Sequence, residues 1–284
     1  MGDATDPELN SVRLRTIWRR LGERLGEWNP DWRAQTGVDA PRPALRSADG
    51  GPPVANSEAF KALAVALVSG NTRWDRIEPV RGELDEPLCG FDPAAFARLS
   101  DEAIEHDVLP WFRRRRAGSA GLRAGLMRLR QTADLISGGG RFASADAMIR
   151  AALAHAGGSP EMLAMLLGDS KDWKLPGFGI ALAAEALRLM GFDLCKPDRH
   201  VTRAVGSWSL ASFARWDKRG AFTAPQAKPK ELLETMLAVR NLAQANGVAT
   251  TVASSVIWTA GAVSGARLTN AEFARIVAPA RRGA

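Results

Sequence analysis

The sequence predicts an all-α fold of many short helices, and three observations carry that prediction. Apolar residues recur at helical spacing in one segment after another, no stretch alternates apolar and polar residues convincingly, and Gly/Pro clusters punctuate the chain. At 284 residues and 46% hydrophobic, the chain can bury a sizeable core as one large domain or two modest ones.

Residues 1–7 read as a loose acidic tail. From Glu8 to Trp28 the positions Val12, Ile17, Trp18, Leu21, Leu25 and Trp28 predict one amphipathic helix. The Pro/Gly-rich run from Val38 to Pro53 reads as a connection. Ser57 is an N-cap candidate for a helix through Val68 with Phe60, Leu63, Ala64 and Leu67 facing a core. Further helices are predicted over 74–83, 92–98, 101–108, 122–136, 145–156, 161–168 and 180–190. One more starts at Asp198, and two follow over 230–246 and 248–262. Gly138-Gly139-Gly140 and Gly157-Gly158-Ser159-Pro160 mark clear breaks.

The net charge of +7 and a sequence pI near 10.1 favour polyanionic partners, although biased base composition alone also yields Arg- and Ala-rich chains. Arg113-Arg114-Arg115-Arg116 is the densest positive run; such a run is either a solvated surface or a DNA contact. Two distant cysteines, Cys89 and Cys195, argue against a disulfide framework, a zinc site or a cysteine-held cluster. The acidic start lacks the apolar core of a signal peptide, and the apolar run 62–69 is too short to cross a bilayer. The expected compartment is the cytoplasm, nucleoid-associated in a bacterium.

Two short stretches carry chemistry. Leu175-Pro176-Gly177-Phe178-Gly179 places a tight turn before a small-residue helix, so backbone amides and the helix dipole favour an anion there. An ordinary turn between two helices is the plain alternative. Lys196-Pro197-Asp198-Arg199-His200-Val201 places one carboxylate at the next helix start, where it can serve as an N-cap. The same acid facing a cleft can stabilise a developing cation or orient a water. His200 reads as a structural or phosphate-contacting residue rather than a general base.

These residues resemble the helix-hairpin-helix/Gly-Pro-Asp DNA glycosylase superfamily, in which Leu-Pro-Gly-Phe-Gly, a helix and then Asp-x-His-Val-x-x-Ala follow in this order. Val68-Ser69-Gly70-Asn71-Thr72-Arg73-Trp74 is similar to the family's early Ser/Thr-Gln-Asn-Thr-x-Trp segment. Residues 92–100 with Leu109-Pro110-Trp111-Phe112 are similar to its next helices, and Ser255-Val256-Ile257-Trp258 to a late one. Coverage is roughly residues 57–262.

The resemblance implies a two-lobed helical fold with the helix-hairpin-helix at the inter-lobe cleft. It implies a central helical domain over 57–192 and a second domain from 8–56 plus 193–284. It also implies base-excision repair chemistry on a nucleotide flipped out of damaged double-stranded DNA. Asp198 would be the catalytic acid, with Leu175, Gly177, Phe178, Gly179, Arg199 and His200 on the DNA backbone. Asn71, Trp74, Trp111 and Phe112 are candidates for base pocket or wedge. No cofactor is implied, although some relatives hold a monovalent cation at the hairpin carbonyls. A monomer without membrane contact or obligate protein partner is expected.

Two departures shape the expectation. Bifunctional relatives carry a nucleophilic lysine where this chain has Ala181, so hydrolysis without strand cleavage is implied. Gly70 replaces the family's usual glutamine, so the wedge is absent, shifted to Asn71 or supplied elsewhere. With no evident second acid to protonate a leaving base, an alkylated purine of the 3-methyladenine type is the favoured substrate. A non-catalytic helix-hairpin-helix binding module remains open, as does a glycosylase for uracil, mispaired thymine or oxidised purine.

Overall fold

The computed structural model describes residues 7–41, 46, 51–70, 72–138, 140–214 and 227–277. The tail 1–6, most of the 42–50 connection, Gly139 and the wedge candidate Asn71 lie outside them. The described residues are helical, with no strand and one isolated bridge between Arg46 and Phe192. None of their helices is long and apolar enough to cross a membrane. The chain divides into two compact units, Ala44–Phe192 and the pair Met1–Pro43 with Asp193–Ala284.

The second of these begins with α1 (Pro7–Trp28) and the short α2 (Trp32–Thr36). Leu14, Ile17, Leu21 and Leu25 line the buried face of α1, whereas Val12 is 50% exposed. Its predicted inward position is wrong because, on a 3.6-residue turn, Leu14 and not Val12 shares the stripe with Ile17 and Leu21.

In the Ala44–Phe192 unit, α3 (Asn56–Ser69) is apolar on nearly every side and buried from Ala59 to Val68 except at the exposed Lys61. Apolar surface on all sides makes a central helix rather than a surface one. Its N-cap is Ala55, not Ser57, and Asn56 Oδ1 instead accepts the Ala145 amide at 2.9 Å. After α4 (Trp74–Ile77) the chain tightens to 3-10 turns over Glu78–Glu83, where Pro79 supplies no donor. Asp92 and Ser100 cap α5 (Pro93–Ala97) and α6 (Asp101–Ala103). A π turn over Ile104–Val108 then runs into α7 (Leu109–Arg114). Pro110 lacks the amide that an unbroken α-helix would give to the His106 carbonyl, which accounts for the wider turn.

Leucines spaced three and four apart seat α8 (Leu122–Ile136) against α3 and α5. Ser144 caps α9 (Ala145–His155) and Ser159 caps α10 (Pro160–Asp169). A connection over 170–179 leads to α11 (Ile180–Leu189), which packs on α10 and α3.

The chain then returns to the other unit with α12 (Arg199–Ser207), α13 (Pro229–Ala245), α14 (Thr250–Ala262) and α15 (Asn270–Val277). Buried on most sides, α14 packs on α12 and α13, while α1 packs on α13 and α15. Arg13 and Arg20 of α1 donate to the carbonyls of Trp208 and Ile276, tying the first helix to the late ones.

Candidate functional site

The candidate residues fall into two clusters, one in each unit. In the Ala44–Phe192 unit, Leu175, Gly177, Phe178 and Gly179 share the turn before α11. Leu175 and Phe178 are buried and pin it. The Leu175 amide donates to the Leu167 carbonyl at 2.9 Å, and the Phe178 amide closes the turn onto the Leu175 carbonyl at 3.1 Å. Thr132 Oγ1 of α8 donates to the Pro176 carbonyl at 3.1 Å.

Only one of the two glycines needs its freedom. Gly177 sits at φ 85°, where a side chain is strained, and faces the Arg128 stem of α8. Gly179 is extended at φ −97° and ψ 173°, a conformation open to any residue. Nothing lies within 4 Å of the place where a Gly179 Cβ would stand, so its backbone is open to close approach. As the N-cap of α11 it has no side chain to satisfy the helix's first amides.

The close approach that sequence reasoning missed is at Gly168 on α10. A Cβ there would come within 2.5 Å of Ile180 N and 2.8 Å of the Gly179 carbonyl carbon. The signal was a glycine inside the helical pattern, which often marks close backbone packing.

In the other unit, Asp198 caps α12 as its Pro197-Asp198 setting predicts. Its Oδ1 accepts the amides of His200 at 2.8 Å and Val201 at 3.1 Å. Its Oδ2 accepts no hydrogen bond among the described residues, and the side chain is half-buried. Thr202 Oγ1 donates back to the Asp198 carbonyl at 2.7 Å, fixing the backbone behind the carboxylate. One oxygen is thus anchored and the other is available.

His200 belongs to the same helix start. Its Nε2 accepts from Arg199 Nε at 3.2 Å, which requires that nitrogen to be unprotonated. Burial depresses its pKa, and the guanidinium groups of Arg199 and Arg203 add to that effect. Together they outweigh Asp198 and a hydrogen bond with the Gly261 backbone. Gly261 of α14 leaves the room, since a Cβ there would stand 3.0 Å from His200 Cβ. Arg203, another residue missed, donates to the carbonyls of Gly261 and Leu268 and holds α12 to the end of α14.

A depressed histidine pKa has a defined stability sign. The unfolded chain takes up the proton first, so the contribution is present above the ordinary value of about 6.5 and is lost as pH falls below it. Thermal melts are expected to show Tm falling between about pH 7 and about pH 5, with His200→Gln flattening part of that slope. An unchanged slope in the variant would mean that the fold does not depress the His200 pKa.

The aromatic candidates separate. Trp74 is 36% exposed, with the Arg81 guanidinium 5.8 Å from its ring centroid. Trp111 is only 3% exposed; its Nε1 donates to Glu86 at 2.8 Å, and Arg115 lies over its ring at 4.0 Å. Phe112 is fully buried and meets Trp111 edge-on. Both rings are packed into the core rather than presented to solvent. An aromatic ring packed in a core next to a buried indole N–H bond is a structural anchor.

No family model, curated protein or solved structure matches this chain. The residues and their geometry therefore carry the functional reading by themselves. Among the described residues no group of three or more His, Cys, Asp or Glu is placed to hold a metal ion. In the turn before α11 the carbonyls of Leu175 and Pro176 each accept one hydrogen bond, from the Phe178 amide and from Thr132 Oγ1.

Proposed function

We propose that the protein is a monofunctional DNA glycosylase of the helix-hairpin-helix/Gly-Pro-Asp type that removes an alkylated purine. The observation that carries this reading is the half-anchored carboxylate of Asp198, with Oδ1 held by two amides and Oδ2 left available. The open backbone at Gly179 and the uncapped amides of α11 support it as a grip for a DNA phosphate.

In this mechanism the bond between the sugar C1′ and the base nitrogen breaks, and its electron pair leaves with the base. A base that carries a positive charge departs neutral and needs no general acid. Asp198 Oδ2 stabilises the oxocarbenium-like sugar and orients a water; the water oxygen bonds to C1′ and releases a proton. Ala181 provides no amine for a Schiff base, so the strand stays intact. Arg199 and His200 lie at the same helix start as positioning and backbone-contacting groups, Arg199 being exposed to solvent. The expected partner is damaged duplex DNA and the expected state a monomer.

A second reading is a DNA-binding module without catalysis. The burial of Trp111 and Phe112 favours it, because Trp74 is then the only candidate aromatic among the described residues with an exposed ring. Base release from methylated duplex DNA decides between the two. Free methylpurine in the supernatant supports the glycosylase; tight binding with no release from methylated, uracil-containing or oxidised duplexes supports the module.

A further inference from the structure

A hollow of about 410 Å³ in the Ala44–Phe192 unit is ringed by Arg76, Arg113, Arg116 and Arg123, over an apolar floor that includes Leu109 and Phe112. All four arginines are exposed. They come from three helices and a loop: Arg76 from α4, Arg113 from α7, Arg116 from the loop after it and Arg123 from α8. Arg113 complements the dipole at the end of α7, but that explanation does not extend to the others converging on the same space.

The acids nearby do not neutralise the ring. Arg123 pairs with Glu105, and Arg76 feels Asp75, which is itself paired with Arg73. Arg113 and Arg116 make no ion pair among the described residues. Arg116 stands at φ 52° as the left-handed residue of the turn that closes α7, where its amide donates to the Arg113 carbonyl at 3.1 Å and that of Ala117 to the Phe112 carbonyl at 2.9 Å, so its place beside the hollow is fixed by the helix end. Four arginines lining one concavity, one of them paired with Glu105, repel one another, and an anion there relieves that repulsion. Planar forked donors suit phosphate oxygens in particular.

We infer that this hollow is a second phosphate site, which grips the nucleic-acid backbone on the same unit as the turn before α11. Helix α8 joins the two. Leu122 and Arg123 line the hollow, and Thr132 holds the Pro176 carbonyl. Ten helical residues span about 15 Å, which is about four base-pair steps of duplex. Arg128, exposed and beside Gly177, lies along that span. The inference rests on the nucleic-acid reading above, and commits to a backbone phosphodiester rather than a small free phosphate.

The test is binding of undamaged duplex DNA across a salt series, comparing wild type with the triple variant Arg76→Gln, Arg113→Gln, Arg116→Gln. Each lost phosphate contact lowers the slope of log affinity against log salt by about 1. The expected result is a slope shallower by about 2–3, affinity lower by tenfold or more at moderate salt, and an unchanged Tm. Unchanged affinity and slope would overturn the inference, as would inorganic phosphate binding the wild type as tightly as duplex. Because the readout is binding and not base release, the two proposals fail separately. Wild type that releases methylpurine while the triple variant binds normally sinks the hollow alone. Wild type that binds DNA through these arginines yet releases no base sinks the glycosylase alone, and wild type that does not bind DNA sinks both.

Discussion

Asp198→Asn is expected to lower single-turnover release of methylated purine by about 100- to 1000-fold, the usual cost of removing a group that stabilises transition-state charge. Asparagine isolates the charge from the cap. Its side-chain oxygen can accept the same two amides from His200 and Val201, and Asn is as good an N-cap as Asp. Tm and DNA affinity are therefore expected to stay near wild type. Asp198→Ala removes the cap as well, and is expected to cost about 1 kcal/mol of stability in addition. Full release by the Asn variant would end the catalytic assignment of this residue, because a pure cap survives the exchange.

Gly168→Ala is expected to have the largest effect on the fold. The new methyl group would meet the backbone of Gly179 and Ile180, with Ile180 N at 2.5 Å, and backbone cannot rotate away. Overpacking of this kind costs about 1–3 kcal/mol, or roughly 2–5 °C in Tm for a chain of this size. Gly179→Ala makes the informative contrast. Its φ of −97° suits any residue and its Cβ would point into open space, so Tm is expected to hold. A DNA backbone docked against Gly179 would meet that Cβ, so affinity is expected to fall about tenfold, equivalent to ~1.4 kcal/mol. If Gly179→Ala bound DNA normally while Gly168→Ala merely melted early, the turn would be a structural joint and not a grip.

Much of the helical skeleton was legible because it obeys local rules. Helix α8 begins and ends where its apolar stripe of Leu122, Leu126, Leu129, Ala133 and Ile136 begins and ends, and Asp198 caps α12 as its place after Pro197 indicates. One readable signal went unused. Thr269 and Glu272 exchange capping bonds at the start of α15, the Thr-x-x-Glu pattern of a helix start. Other features depend on partners distant in sequence. The indole N–H of Trp111 is satisfied by Glu86, 25 residues earlier, and nothing within its own helix announces that. Gly168 matters because α11 starts against it, and the hollow exists because Arg76 meets the stretch 109–123. Val12 was misassigned for a plainer reason: apolar character was read without following the helical stripe through Leu14.

The pairing of α1 with the late helices has a consequence for the nascent chain. Arg13 reaches Trp208, Arg20 reaches Ile276 and Asn246 reaches back to Leu14, across sequence separations of 195, 256 and 232 residues. The roughly 150 intervening residues of the Ala44–Phe192 unit emerge first, which at about 5–20 residues per second takes about 10–30 s. For that interval the apolar stripe of α1 waits without its partners, and an isolated helix of this length is marginal in water. Translation therefore sets an order of maturation: the turn at Gly177 and its supporting helices can condense while the ribosome is still working, and the carboxylate of Asp198 gains its packed surroundings only after the last helices arrive.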